Sequence, residues 1–158
     1  MCWGTDCRMH LTLSLGGEGL ETILKVNDLH VSFHTYGGEV QAVRGVSFDL
    51  KKGETLAIVG ESGCGKSVAS QSIVGLIPEP AGRLERGSIL YQGRDLTDID
   101  EKTMRKIRGT DISVIFQDPM TALNPTMRIG EQLTEGVRVH LNYSEKEARR
   151  KAMDMMKL

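Results

Sequence analysis

From Ile23 the chain alternates apolar and polar residues at strand spacing: Ile23-Leu24-Lys25-Val26, then Leu29-His30-Val31-Ser32-Phe33. A turn follows at Tyr36-Gly37-Gly38-Glu39, and Val40 to Leu50 alternates again, which together predict an antiparallel sheet. Glu54-Thr55-Leu56-Ala57-Ile58-Val59 reads as a buried strand ending at Gly60. The spacing then changes to that of a helix, with Val68, Ala69, Ser72, Ile73 and Leu76 on one face and Pro78 and Pro80 ending the run.

Further along, Ser88-Ile89-Leu90-Tyr91 predicts a short strand, Glu101 to Ile107 a short basic helix, and Asp111 to Phe116 a buried strand ended by Gln117. After a loop holding Pro119 and Pro125, Ile129, Leu133, Val137 and Leu141 make an apolar stripe at helical period that needs a surface to pack on. Ser144 and Glu147 form a capping box for a last helix, whose Ala148, Ala152, Met155 and Met156 share one face, and the Met pair is expected in the core. Residues 1–22 have no steady period and read as a flexible leader.

The chemistry lies between the strand at Glu54–Val59 and the helix that follows it. Gly60, Glu61, Ser62, Gly63, Cys64, Gly65, Lys66 and Ser67 match the pattern G-x-x-x-x-G-K-S/T. A triphosphate is a dense hydrated anion, and glycines let several backbone N–H groups turn inward to replace its water. The next helix adds its positive N-terminal end. Lys66 is spaced to reach the β and γ phosphates as a point charge, and Ser67 to ligate the accompanying magnesium. Strand, loop and helix in that order predict an α/β fold of the P-loop NTPase class that holds ATP and Mg2+.

Composition narrows the surroundings of that site. With 158 residues, 39% of them hydrophobic, the chain suits one domain with a real core. Twenty basic against 21 acidic residues give a net charge of −1, so there is no basic excess to make nucleic acid the partner. No apolar run approaches the roughly 18–20 residues needed to cross a bilayer, and Asp6, Arg8 and His10 interrupt any signal-peptide core, so a cytoplasmic location is expected. Cys2, Cys7 and Cys64 form no disulfide framework, and Cys2, Cys7 and His10 lack a fourth ligand for zinc. Cys64, beside Lys66, reads either as a thiol reactive toward alkylating agents or as a small filler.

The aromatic turn at Tyr36, the loop GESGCGKS and the run Ile115-Phe116-Gln117-Asp118-Pro119-Met120-Thr121-Ala122-Leu123-Asn124-Pro125 together resemble the nucleotide-binding subunits of ABC transporters. More narrowly, "VQAVRGVSFDLKKGETLAIVGESG" and "FQDPMTALNP" look like the oligopeptide/dipeptide importer branch, some relatives of which carry nickel. The resemblance runs from about Ile23 to the C-terminus. It implies an ABC-type nucleotide-binding domain, residues 23–158 being its N-terminal part: an antiparallel β subdomain, the P-loop core, and a helical subdomain beginning after about residue 118.

By the same resemblance Tyr36 stacks on adenine, a role for which Phe33 and His34 are the rivals, and a ring face suits a purine. Gln117, 51 positions after Lys66, corresponds to the glutamine that reaches the magnesium and the attacking water, a task its amide suits. The segment after it would dock on a transmembrane permease, with a second ATP-binding subunit as dimer partner, on the inner face of the cell membrane.

The family's signature loop LSGGQ, its magnesium-binding Asp-Glu strand end and its switch histidine do not occur before Leu158. Leu13-Ser14-Leu15-Gly16-Gly17-Glu18 only echoes the signature: it has an extra leucine, lacks the glutamine and precedes the phosphate loop. Ile112 to Asp118 could mimic the magnesium-binding strand of another P-loop class, but Pro119 follows where Glu is needed. The chain is therefore expected to be the N-terminal part of a longer domain, with open strand edges and little turnover alone. Two other readings stand beside this one: a non-catalytic module that docks on the permease, and a P-loop small-molecule kinase.

Overall fold

In the computed structural model the described residues are 10–12, 21–118 and 122–157. They divide into two compact units, residues 1–100 and 101–158. The first unit is built on β2 (Thr22–Thr35) and β3 (Gly38–Lys51), each 14 residues long and paired antiparallel. Where the sequence suggests two strands separated at Asn27–Asp28, the chain runs on as one. An irregularity in register between Val26 and Leu29 absorbs the break, with Asp28 at φ 44° and its N–H donating to Ser47 Oγ at 2.8 Å.

β5 (Gly82–Tyr91) pairs antiparallel with the other edge of β2, and β6 (Arg94–Asp95) extends the sheet to the order β3-β2-β5-β6. Leu29, Ile89, Val26, Val31 and Val43 are its fully buried side chains. Ala69 and Ser72 of helix α1 (Lys66–Ile73) are buried as well, and α1 contacts β2 and β3. A core of branched aliphatics from three strands and one helix face is what the alternating pattern requires.

The helix ends earlier than its apolar spacing predicts. Gly75, at φ 60°, takes the left-handed conformation after Val74; its N–H donates to the Ser72 carbonyl at 3.1 Å and that of Leu76 to the Gln71 carbonyl at 2.9 Å. These two bonds make a Schellman cap, so a glycine inside the apolar run closes the helix before the prolines do.

Two expected features near the core differ. The strand before the phosphate loop is only β4 (Ala57–Val59), and its partner is β1 (His10–Thr12), antiparallel, in a separate two-stranded sheet. Three rungs are all that β1 supplies, and Glu54–Leu56 stays outside the ladder for want of a partner strand. His10–Thr12, read as leader, is thus strand; Cys2, Cys7 and Leu13–Glu18 lie outside the described residues.

The second unit contains α2 (Glu101–Thr110), α3 (Ile129–Leu141) and α4 (Glu145–Met155). α2 buries Met104 and Ile107, and its Gly109 lies against the His140 ring of α3. Gln132 ties the preceding loop to α3: its Oε1 accepts from the Asn124 N–H at 2.9 Å, and its Nε2 donates to the carbonyls of Asn124 at 2.8 Å and Met127 at 3.0 Å. α4 begins with the expected capping box, the Ser144 hydroxyl accepting from the Glu147 N–H and Glu147 accepting from the Ser144 N–H at 3.0 Å. Hydrogen bonds from the Ser144 hydroxyl, then from its backbone, hold the Glu147 carboxyl below its usual range.

The apolar stripe of α3 is only partly covered, Ile129, Leu133 and Leu141 remaining exposed. Ala148 alone of α4 is fully buried, and Ala152 half-buried. The Met pair expected in the core is on the surface, Met155 and Met156 being 60% and 70% exposed, because nothing described covers the last turn of α4. Among the described residues no helix is long and apolar enough to cross a membrane.

Candidate nucleotide-binding loop

β4 delivers the chain to Gly60, and the loop runs to Gly65, which caps α1 at φ 93°. The Cys64 N–H donates to the Glu61 carbonyl at 3.3 Å, closing a turn inside the loop. The Ala69 N–H donates to the Gly65 carbonyl at 2.8 Å as the first bond of the helix. The N–H groups of Lys66, Ser67 and Val68 precede that bond and belong to the donors an α-helix leaves without an internal acceptor at its start. Those donors and the helix dipole favour an anion at this end.

The Lys66 ammonium folds over its own loop, donating to the carbonyls of Gly60 at 2.8 Å and Glu61 at 2.6 Å and lying 3.5 Å from Cys64 Sγ. Its charge is therefore spread over neutral acceptors at the mouth of the cradle. A phosphate oxygen offers the same ammonium a charge-assisted bond about twice as strong, so an arriving triphosphate can draw Lys66 off the carbonyls. Ser67 is exposed in the first turn of α1, as are Glu61, Ser62 and Gly63 around the loop. Cys64 is buried, 7% exposed, which fits the small-filler reading: a reagent reaches its sulfur only if the loop opens.

The floor of the loop is a part that no local motif announces. A Cβ on Gly65 would lie 2.2 Å from the carbonyl oxygen of Ala42 and 3.5 Å from Val43 Cγ2, so the loop's hinge rests directly on the backbone of β3. Within the motif, Gly65 is the glycine that this close approach demands, whereas Gly63 faces open space. The single clue in the sequence was the small Ala42 inside an otherwise bulky strand.

Tyr36 and Gly37 form the two-residue turn of the β2–β3 hairpin, with Thr35 opposite Gly38. Tyr36 is fully exposed, its ring free of the strands, while its rival Phe33 is half-buried and His34 Nε2 lies 3.2 Å from Glu85 Oε1. Of the three, Tyr36 alone presents both ring faces to solvent without a polar partner.

Gln117 is exposed in a bend of the second unit, and the predicted strand leading to it does not form. Residues 112–116 are extended without a ladder, Ile115 is 98% exposed and Phe116 46%. The apolar pattern is that of a strand buried on both faces, and such a segment becomes strand only with neighbours to bond; among the described residues it has none. The residues Pro119, Met120 and Thr121 of the motif lie outside the described residues.

The donor set suits a magnesium nucleotide. The Ser67 hydroxyl and the Gln117 amide carbonyl are hard oxygen donors, the kind magnesium takes one or two at a time beside phosphate oxygens and water. Among the described residues no group of three or more His, Cys, Asp or Glu side chains could hold a metal by itself, so the proposed Cys2–Cys7–His10 zinc site has no described support.

The family model described as "ABC transporter" matches residues 43–158, from the strand under the loop through both units. The chain belongs to the ABC transporter family. It is 60% identical over 139 residues to the dipeptide transport ATP-binding protein DppD of Bacillus subtilis, covering 88% of this chain and 42% of that protein. Against the oligopeptide transport ATP-binding protein OppD of the same organism it is 57% identical, covering 86% of this chain and 38% of the relative. Against OppD of Escherichia coli it is 44% identical, covering 92% and 42%. The chain thus spans about two fifths of the length of these relatives.

Among solved structures, the ATP-binding cassette MJ0796, dimeric and bound to ADP and Pi, superposes with a TM-score of 0.70 at 21% identity, over 85% of this chain and 56% of that one. A second dimeric MJ0796 structure gives 0.68 at 22% identity, over 85% and 56%. At such identity the likeness concerns the fold, and it is the fold of an ABC nucleotide-binding domain.

Proposed function

We propose that this chain is the ATP-binding part of an ABC importer for peptides, coupling ATP binding and hydrolysis to uptake. The observation that carries this is the cradle Gly60–Ser67, with the Lys66 ammonium at its mouth and the first turn of α1 behind it. The peptide branch is supported by the relatives DppD and OppD, whose names state dipeptide and oligopeptide transport.

In this reading the loop's N–H groups and Lys66 bind the phosphates and Tyr36 packs on the adenine face. Ser67 and Gln117 hold magnesium, which supplies neutralisation of the phosphate charge, and Gln117 also orients the attacking water and links nucleotide state to the helical unit. The partners are the transmembrane permease subunits and a second ATP-binding subunit; dimeric structures of the fold neighbour MJ0796 support the latter. The location that follows is cytoplasmic, peripheral on the inner face of the cell membrane.

Calorimetric titration of the chain with magnesium-ATP, beside Lys66→Ala, tests the reading. One charged hydrogen-bond donor is worth about 1.5–3 kcal/mol, so the variant should bind roughly 10- to 150-fold more weakly. A folded wild-type chain with no saturable binding, or binding indifferent to Lys66, would refute it.

A further inference from the structure

The charge of −1 conceals a segregation. Residues 101–158 carry eleven Lys and Arg against eight Asp and Glu, a net +3, leaving nine against 13, a net −4, for residues 1–100. Within the positive unit the cations gather on outward helix faces. In α4, Lys146, Arg149, Arg150 and Met153 recur at i, i+3, i+4 and i+7 and are all exposed, on the side away from buried Ala148. Arg149 is 3.5 Å from Glu145 across one exposed turn. No ion pair among the described residues engages Lys146, Arg150 or the flanking Lys151, though the Arg150 charge helps hold Glu147 ionised.

The same helix ends in three exposed methionines, Met153, Met155 and Met156, at 61%, 60% and 70%. Exposed cations alone are a solvated face; cations followed by uncovered flexible apolar side chains over about 16 Å of helix are not explained by water. We infer that the outer face of α4 docks on an anionic phospholipid surface. There the ammonium and guanidinium heads meet phosphate while their stems and the methionines enter the headgroup and acyl boundary. A nucleic-acid backbone supplies the phosphates but no apolar phase for the methionines. α2 provides an internal contrast: Lys102, Arg105 and Lys106 also face outward, but its apolar residues Met104 and Ile107 are buried.

The inference does not rest on nucleotide binding and is tested apart from it. The full chain would be floated with vesicles of phosphatidylcholine alone or mixed with phosphatidylglycerol, at low and high salt. Binding is expected only to the anionic vesicles and should fall with salt. Near an anionic surface each cation contributes on the order of fivefold in partition, so Lys146→Glu with Arg150→Glu should lower it at least 25-fold. Lys146→Arg with Arg150→Lys should retain it.

The matched reversal Lys102→Glu with Lys106→Glu on α2 changes net charge equally and should cost much less. Met153→Ser should weaken binding while leaving the thermal midpoint unchanged. Absence of binding to anionic vesicles, equal binding to neutral ones, or equal losses from the α2 and α4 reversals would each overturn the assignment. In the first case an acidic protein surface would be the remaining occupant for this face.

Discussion

Gly65 meets the carbonyl of Ala42 so closely that a β-carbon there would stand 2.2 Å from the oxygen, far inside contact distance. The phosphate loop is therefore set on the sheet by backbone against backbone, and β3, whose hairpin also carries Tyr36, is its support. Gly65→Ala would have to shift main-chain atoms and hold φ at 93° with a side chain, each costing about 1–3 kcal/mol. The expected result is a chain with a lower urea midpoint and no measurable magnesium-ATP binding. Gly63→Ala, at φ 82° but with nothing near its added carbon, should keep more of the stability; equal losses from the two would show that contact with Ala42 is immaterial.

Tyr36 separates binding from folding. Its side chain contacts no core, so Tyr36→Ala should leave stability within about 0.5 kcal/mol. If the ring is the adenine platform, the same change should remove about 1–3 kcal/mol from ATP binding while leaving affinity for inorganic triphosphate unchanged, and Tyr36→Trp should restore ATP. Calorimetry with the two ligands decides; equal losses for both would place the effect in the hairpin and not at the base.

Ile115 and Val31 are both branched apolar residues in strand-like sequence, yet one is 98% exposed and the other fully buried. Val31→Ala should cost about 1–3 kcal/mol through lost burial and packing, whereas Ile115→Thr should cost almost nothing. It should instead raise solubility, since an extended apolar segment without a ladder is a template for association. Light scattering of the wild type and the two variants at equal concentration would reveal this, and an Ile115→Thr chain that aggregates as readily as wild type would refute it.

These two residues also mark how far the sequence could be read. Features closed within a few residues were legible: the hairpin turn at Tyr36–Gly37, the phosphate loop, and the Ser144–Glu147 box all depend on local geometry. Strand formation at Glu54–Leu56 and Ile112–Phe116 was not, because apolar pattern records that a segment is fit for burial, while a ladder needs a partner. The methionines of α4 misled for the same reason: helical period places them on a face without saying what covers it. The support of Gly65 by Ala42 joins positions 23 residues apart through tertiary packing, and no window of the sequence contains it.

Asp28 sits where β2 breaks register, and one carboxylate serves two partners there. His30 Nε2 is 3.0 Å from Oδ1, and the Arg86 guanidinium from β5 donates to Oδ2. The hydrogen bond from His30, then the charge of Arg86, holds the Asp28 carboxyl below its ordinary range. A folded-state pKa below the unfolded one means the unfolded chain binds more protons on the acid side, so stability rises with pH there. The contribution is complete above the ordinary aspartate value and is lost as pH falls through the folded value.

Asp28→Asn should therefore lower the thermal midpoint at pH 7 and flatten its dependence on pH below about 4, the range in which a free aspartate takes up its proton. Because Asp28 is exposed, the acid limb is expected to shrink with added salt. Melting curves from pH 2.5 to 7 at two salt concentrations measure both effects, and an acid limb of the same slope in the variant would show that other carboxylates carry it.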